Sequence, residues 1–334
     1  MKNKLSVIVL IGAFTVASAA PSFIKTCQKP TPSELKTLKA LKQDMYISLP
    51  KKYSMAFKKN NCKSMYKYLQ SVTELGLSGN QADKVSSIMD YPDLHQIDWM
   101  DNISLLRYFP NLQKIDLSTN EITSLKPLEK MVHLRELDII SNPVTDFSPL
   151  VKLKSLERLE ISNAEITDIT AIGQITSLKS LTLYSDGLKD VSPLGNLVNM
   201  EKLRVSSDEI TDICALNTLV KLKELDIDGC SKVSDISCLK DLKQLEKLNI
   251  TNTAVKTIDV VKEYKNLVVF NGNDTMQDMS PLVGLEKLTT ADTRSTTLLE
   301  CSPQNLDDIK NGKSCDKKED ENANKSWWKK ILGL

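Results

Sequence analysis

LRELDIISNPVTDFSPLVKLKS, residues 134–155, is followed from Leu156 by LERLEISNAEITDITAIGQITS, which keeps the same apolar spacing. Working outward, units begin at Val72, Leu94, Leu112, Leu134, Leu156, Leu178, Met200, Leu222, Leu245, Leu267 and Leu288. The starts from Leu112 to Leu222 are 22 residues apart. The Leu94 unit is shortened to 18 residues, the Leu222 unit gains one near Gly229-Cys230, and the last is degenerate. Such a register is the mark of a repeat array.

Within the Leu134 unit, Leu137 and Ile139 alternate with Glu136, Asp138 and Ile140, which predicts a short strand with one face inward. Asn142 follows, with counterparts at Asn80, Asn102 and Asn120, and its amide can serve loop backbone buried without partners. Later units carry Ala164, Asp186, Asp208, Cys230 and Thr253 there, so this ladder is expected to weaken. Val144, Phe147 and Leu150 return apolar side chains to the same core, and Ser148-Pro149 argues against a regular helix on that wall. One unit cannot bury its own Leu and Ile, whereas stacking hides both faces of every interior unit. Parallel strands ~4.8 Å apart would give a strip on the order of 50 Å long. Bulkier return segments on the other side predict curvature.

The chain has 334 residues, is 41% hydrophobic and 26% charged, and carries a net charge of +1. No strong general preference for polyanions follows from that balance, and no nucleic-acid partner is expected. The distribution is uneven. Residues 20–70 hold eleven Lys against Glu34 and Asp44, while residues 71–300 hold 24 Lys and Arg against 35 Asp and Glu. Lys2 and Lys4, the apolar stretch Leu5 to Val16, and Ala17-Ser18-Ala19 predict a signal peptide over 1–19, cleaved after Ala19. Export, whether secreted or to a periplasm or cell envelope, makes disulfides plausible. Cys27 with Cys62 and Cys301 with Cys315 are the predicted pairs, each closing a loop at one end of the array. Cys214, Cys230 and Cys238 read as buried or half-buried thiols, with a Cys214–Cys238 bridge as the alternative.

Open ends of a stack need caps. Thr31-Pro32-Ser33-Glu34 is a helix start with capping-box chemistry, and Leu35, Leu38 and Leu41 share one face. A second short helix is expected over Cys62 to Leu69. The predicted layout is thus a helical N-terminal cap at 20–71, the array at 72–300, a C-terminal cap at 301–315 and a flexible tail at 316–334. The tail ends in Trp327-Trp328-Lys329-Lys330, which suits either a membrane interface or docking on protein.

The spacing, with Val144-Thr145-Asp146-Phe147-Ser148-Pro149-Leu150, Leu188-Lys189-Asp190-Val191-Ser192-Pro193-Leu194 and Met276-Gln277-Asp278-Met279-Ser280-Pro281-Leu282, resembles the bacterial internalin-type leucine-rich repeats. These share a class with the repeats of a eukaryotic phosphatase-1 regulator. The resemblance covers roughly residues 72–300. It implies an α/β leucine-rich-repeat solenoid behind a helical cap, with parallel strands on a concave face and an irregular or 3-10 convex side. It also implies a protein partner on the concave face. No LPxTG-type sorting motif, immunoglobulin-like domain or wall-binding module accompanies the repeats, so surface anchoring and receptor binding are not carried over.

Outward strand residues form columns. One reads Asp98, Asp116, Asp138, Glu160, Thr182, Arg204, Asp226, Asn249, Asn271, Asp292; the next reads Lys114, Glu136, Arg158, Ser180, Lys202, Glu224, Lys247. Two readings stand: a self-neutralised soluble face, or an acidic patch that selects a basic partner. In a third column Met100, Ile140 and Tyr184 are large and apolar, and they are the candidate anchors for a protein ligand. Asp116, Asp138, Glu160 and Arg158 would form the rim. Only His95 and His133 exist, and no nucleophile–base pair, phosphate loop or zinc spacing appears. No catalytic residue, cofactor or metal is expected. The reading is an exported, monomeric, non-enzymatic recognition protein. The alternative is an envelope-associated structural protein contacting anionic membrane or glycan through its basic cap or its Trp327, Trp328 tail.

Overall fold

The computed structural model describes residues 25, 27–29, 31, 32, 69–77, 100–273, 276 and 278–293. The chain divides into two compact units, residues 1–163 and 164–334. In the first, β1 (Glu74–Gly76), β2 (Lys114–Asp116), β3 (Glu136–Ile140) and β4 (Arg158–Ser162) pair in parallel in chain order. Their connections contain the 3-10 helices Ser104–Tyr108, Lys126–Leu128 and Ser148–Lys152. Alternation sends Ile115, Leu137, Ile139, Leu159 and Ile161 inward, where each is at most 1% exposed. Val144, Phe147 and Leu150 meet them from the return wall, also buried. Each such side chain contributes about 2 kcal/mol relative to solvent exposure.

The second unit repeats the plan. β5 (Ser180–Tyr184), β6 (Lys202–Ser206), β7 (Glu224–Asp226), β8 (Lys247–Asn249), β9 (Val269–Gly272) and β10 (Thr290–Thr293) are successive parallel neighbours. The return segments again hold 3-10 helices, among them Ser192–Asn196, Cys214–Thr218 and Ser237–Leu239. Proline at the start of several of them fixes φ where an unpaired N–H would otherwise point outward. An acidic residue two positions ahead finishes the job. Asp146, Asp190, Asp212 and Asp278 accept the backbone N–H of Ser148, Ser192, Cys214 and Ser280 at 2.7–2.9 Å. Bonds from Ser148 hold the Asp146 carboxyl below the ordinary carboxylate range.

Three expectations change. First, β1 pairs directly with β2, with Glu74 opposite Lys114 and Gly76 opposite Asp116. No strand of the Leu94 unit lies between them, and Gly76 takes the place beside Asp116 that Asp98 was expected to fill. The 18-residue spacing, four residues short of what the other units use, is where the sequence departs from its own repeat. Met100 therefore sits in the core, 1% exposed, with its N–H bonded to Asn120 Oδ1 at 3.0 Å. Asn102 is a turn residue that accepts Ser104 N–H at 2.8 Å, not a ladder member.

Second, the polar ladder does not simply weaken after Asn142; in several units it shifts by one residue. Thr119, Ser141, Gly229 and Asn252 have φ of +56°, +55°, +82° and +52°. Each left-handed residue turns the following one inward, so Asn120, Asn142, Cys230 and Thr253 are buried. Units without that twist bury the preceding position instead. Ser185 Oγ donates to Ile166 O at 2.6 Å and Ser207 Oγ to Leu188 O at 2.7 Å, while Asp186 and Asp208 stay exposed. Asn163 does the same work with Val144 O at 3.0 Å, leaving Ala164 outside.

Third, Cys214 and Cys238 form a disulfide, joining the 3-10 helices of successive units. The thiol reading holds only for Cys230, which is buried, donates to Val205 O, and has its pKa pushed up to about 11 by burial. Cys27 is disulfide-bonded, but its expected partner Cys62, the Cys301–Cys315 pair, the signal peptide, most of the 20–71 cap, and the 301–334 cap and tail lie outside the described residues.

Candidate functional site

The outward residues of the strands are the candidate surface, and the two units present different chemistry on it. In the first unit, Asp116, Asp138 and Glu160 stand in register on β2, β3 and β4. All three are half-buried. They are also fastened locally. Asp116 Oδ1 accepts Ser118 N–H at 2.9 Å and its hydroxyl at 2.6 Å, and Asp138 Oδ1 accepts Ile140 N–H at 3.0 Å. Arg158 bonds Glu160 on its own strand, and Lys114 pairs with Glu136 at 3.1 Å. Asp138 has no cation of its own among these contacts. Burial lifts its pKa first; the Ile140 bond opposes this, and the flanking Asp116 and Glu160 add to it. Ile140 stands half-exposed beside this strip.

The raised Asp138 pKa has a sign. A carboxyl whose folded pKa exceeds its unfolded one weakens the fold at neutral pH and regains stability as pH falls through that window. Asp138→Asn keeps an acceptor for Ile140 N–H while removing the charge. We expect a gain of about 0.5 kcal/mol at pH 7, after solvent screening, vanishing near pH 3. Urea unfolding at both pH values reads it, and an Asn variant no more stable than the parent at pH 7 would contradict it.

In the second unit the surface centres on three strands. The Arg204 guanidinium lies over the Tyr184 ring, 5.2 Å from its centroid, and its Nε pairs with Asp226 Oδ2 at 3.1 Å. Tyr184, Arg204 and Asp226 come from β5, β6 and β7, so parallel pairing alone brings them together. Beside them Glu224 accepts both Lys202 at 3.0 Å and Lys247 at 3.2 Å. Burial would raise the Glu224 pKa, but the two lysines outweigh it and hold it low. Tyr184 and Arg204 were expected from the sequence. Asp226 was present in its column, yet its part in fixing Arg204 depends on rotamers that a column of letters does not show.

Of the expected anchors, Ile140 and Tyr184 are on the outward face and Met100 is not. Asp98, Trp327 and Trp328 lie outside the described residues. Among the described residues, no group of three or more His, Cys, Asp or Glu is placed to hold a metal ion.

Comparison with known proteins agrees with this architecture. A family model for leucine-rich repeats in two copies matches residues 110–152 and 132–174. No curated protein matches the sequence. Among solved structures, a leucine-rich-repeat protein of Leptospira interrogans is similar with a TM-score of 0.53 and 20% identity, over 70% of this chain and 64% of that one. Internalin C2 of Listeria monocytogenes is similar with a TM-score of 0.50 and 23% identity, over 65% of this chain and 93% of that one. At this identity the likeness concerns the fold: the chain folds as leucine-rich repeats, and the family model's match spans residues 110–174.

Proposed function

We propose that this is an exported, non-enzymatic recognition protein that binds a protein partner on the outward face of its strands. The Tyr184–Arg204–Asp226 cluster carries the reading. Aromatic and arginine side chains dominate binding energy in interfaces. Here both are held in place before any partner arrives, so little ordering entropy is lost on contact. Lys202, Lys247 and Glu224 make a charged surround that excludes little water by itself but sets register. In the first unit Asp116, Asp138 and Glu160 favour a partner segment with basic side chains, with Ile140 and Arg158 at its border. Export is supported by the Cys214–Cys238 disulfide, which cytosolic thiol pools would reduce. The 1–19 signal, 20–71 cap, 301–315 cap and 316–334 tail complete the proposal, with the protein acting as a monomer.

The test is partner capture by the chain from residue 20, followed by measured affinity. Replacing Tyr184 and Arg204 together by Ala is expected to weaken binding roughly 30-fold, the effect of losing about 2 kcal/mol. Both side chains face outward from their strands, Arg204 exposed and Tyr184 half-buried, so the fold is expected to stay intact, which circular dichroism checks. Unchanged affinity in the folded double variant removes this surface from recognition. Retention on anionic vesicles that falls with salt and with truncation at Ser326 would favour the membrane-contact alternative.

A further inference from the structure

The return side of the first unit holds a cleft of about 600 Å³ between the 3-10 helices Ser104–Tyr108 and Lys126–Leu128. Its size falls within the range of about 300–1,000 Å³ usual for small-molecule sites. Two cations line it, Arg107 and Lys126, against one carboxylate, Asp101.

The capping pattern explains why this place is electropositive. Where other units cap the 3-10 turn with Asp146, Asp168, Asp190, Asp212, Asp235 or Asp278, the two units forming the cleft use Asn102 and Ser124. Thr257 is the other uncharged residue at this position in the described units, and Asp259 follows it two residues on. The residue that receives the cap bond is Ser, Thr or Cys at the Asp-capped turns; after Ser124 it is Lys126. Two carboxylates are thus replaced by neutral groups, and a hydroxyl-type position by an ammonium, at the mouth of one cleft.

Arg107 is also preorganised. Its Nη1 donates to Ser104 O at 2.9 Å and its Nη2 to Tyr108 Oη at 3.0 Å, with the guanidinium 4.7 Å from the Tyr108 ring centroid. Two of its five N–H donors are used in this way, and the group cannot lose its charge. The Lys126 ammonium makes no ion pair within 4 Å among the described residues; it stands near enough to Glu129 to help hold that carboxyl low, but Glu129 is paired with Lys152 at 2.7 Å. Hydroxyls of Ser104, Thr123 and Ser124 and the half-buried ring of Pro127 complete the wall.

We propose that this cleft binds an acidic sugar, a polyhydroxy ring bearing one carboxylate, either free or as a residue of a polysaccharide. The carboxylate meets Arg107 and Lys126; the ring hydroxyls meet Ser104, Thr123 and Asp101; one C–H face of the ring lies on Pro127. A bare oxyanion would fill only a small part of the volume, and it would gain nothing from the Asp101 carboxylate, which instead accepts a sugar hydroxyl. The site is separate from the strand face and stands whether or not that face binds protein.

Calorimetric titration of the full chain with D-glucuronate, D-glucose and sodium sulfate tests it. Glucuronate should bind at least about tenfold more tightly than glucose and than sulfate. Arg107→Gln and Lys126→Gln should each weaken glucuronate about tenfold, while the Tyr184→Ala, Arg204→Ala variant leaves it unchanged. Glucose binding as well as glucuronate shows that charge is not read, and sulfate doing so shows that the ring is not read; either overturns the proposal, as does absence of glucuronate binding. An oligosaccharide of alternating uronate residues that binds far more tightly than the monomer identifies the polymeric source; equal affinity per site identifies the free sugar.

Discussion

Asn142→Ala is expected to lower unfolding free energy by about 3 kcal/mol, far more than a surface substitution. The side chain is 4% exposed. Its Oδ1 accepts Ile122 N–H at 3.0 Å, and its Nδ2 donates to the carbonyls of Leu117, Ile139 and Ile140 at 2.9–3.3 Å. Truncation leaves a buried N–H without an acceptor and carbonyls short of a donor, each costing about 1–3 kcal/mol when unsatisfied. It also removes the compensation for Ser141 at φ +55°, a conformation that costs about 1–2 kcal/mol for a residue with a side chain. Asn142→Asp should be worse than Ala, because it turns the donor into a charged acceptor facing three carbonyls. Ser185→Ala, which loses the bond to Ile166 O at 2.6 Å and the longer one from Gly187 N–H at 3.3 Å, should cost only about 1 kcal/mol. Urea unfolding of the three variants gives the order. If Asn142→Ala and Ser185→Ala cost the same, the bonds to Asn142 are not what fixes that turn.

The contrast between Asn142 and Ser185 also marks the limit of what sequence made legible. Leucine and isoleucine positions gave the strands, their parallel order and the register of Asp116, Asp138 and Glu160, because alternation with a fixed repeat leaves one way to bury both walls. Which loop residue turns inward depends on a single backbone angle. Thr119 and Ser141 are not residue types that announce a left-handed φ, so the shift from Asn142 to Ser185 had no signal in the letters. Gly229 did carry one, as the extra residue of its unit. Leu94 misled for a different reason. His95 to Met100 carry a strand-like alternation in their letters, yet β1 pairs directly with β2, and the departure from 22-residue spacing was the better guide. For the candidate surface, Tyr184 and Arg204 could be placed by column, whereas the stacking of one on the other and the grip of Asp226 are packing outcomes.

The second large effect belongs to the Cys214–Cys238 bridge. It closes a loop of sequence separation 24, for which restriction of the unfolded chain contributes about 3.5 kcal/mol. A stack of repeats feels this strongly, since each unit is supported only by its neighbours and opening propagates along one dimension. The bridge ties two neighbours together on the wall opposite the strands, beside the reciprocal hydrogen bonds of Asn217 with Asp241 at 2.8 and 2.9 Å. Cys230 does not threaten it. Burial pushes its thiol pKa up to about 11, which disfavours the thiolate at neutral pH, and exchange proceeds through thiolate. The Cys214→Ser, Cys238→Ser variant should therefore unfold about 3 kcal/mol more easily than the oxidised parent, with Tm lower by about 5 °C. Because the chain holds other cysteines, the comparison is made with and without reductant: reductant should bring the parent down toward the variant and move the variant much less. A double variant as stable as the oxidised parent would mean that neighbour packing alone holds these units. The stabilisation exists only where the bridge is oxidised, so a chain kept in a reducing compartment would lack it, and the same measurement that sizes the bridge bears on where the protein is built to work.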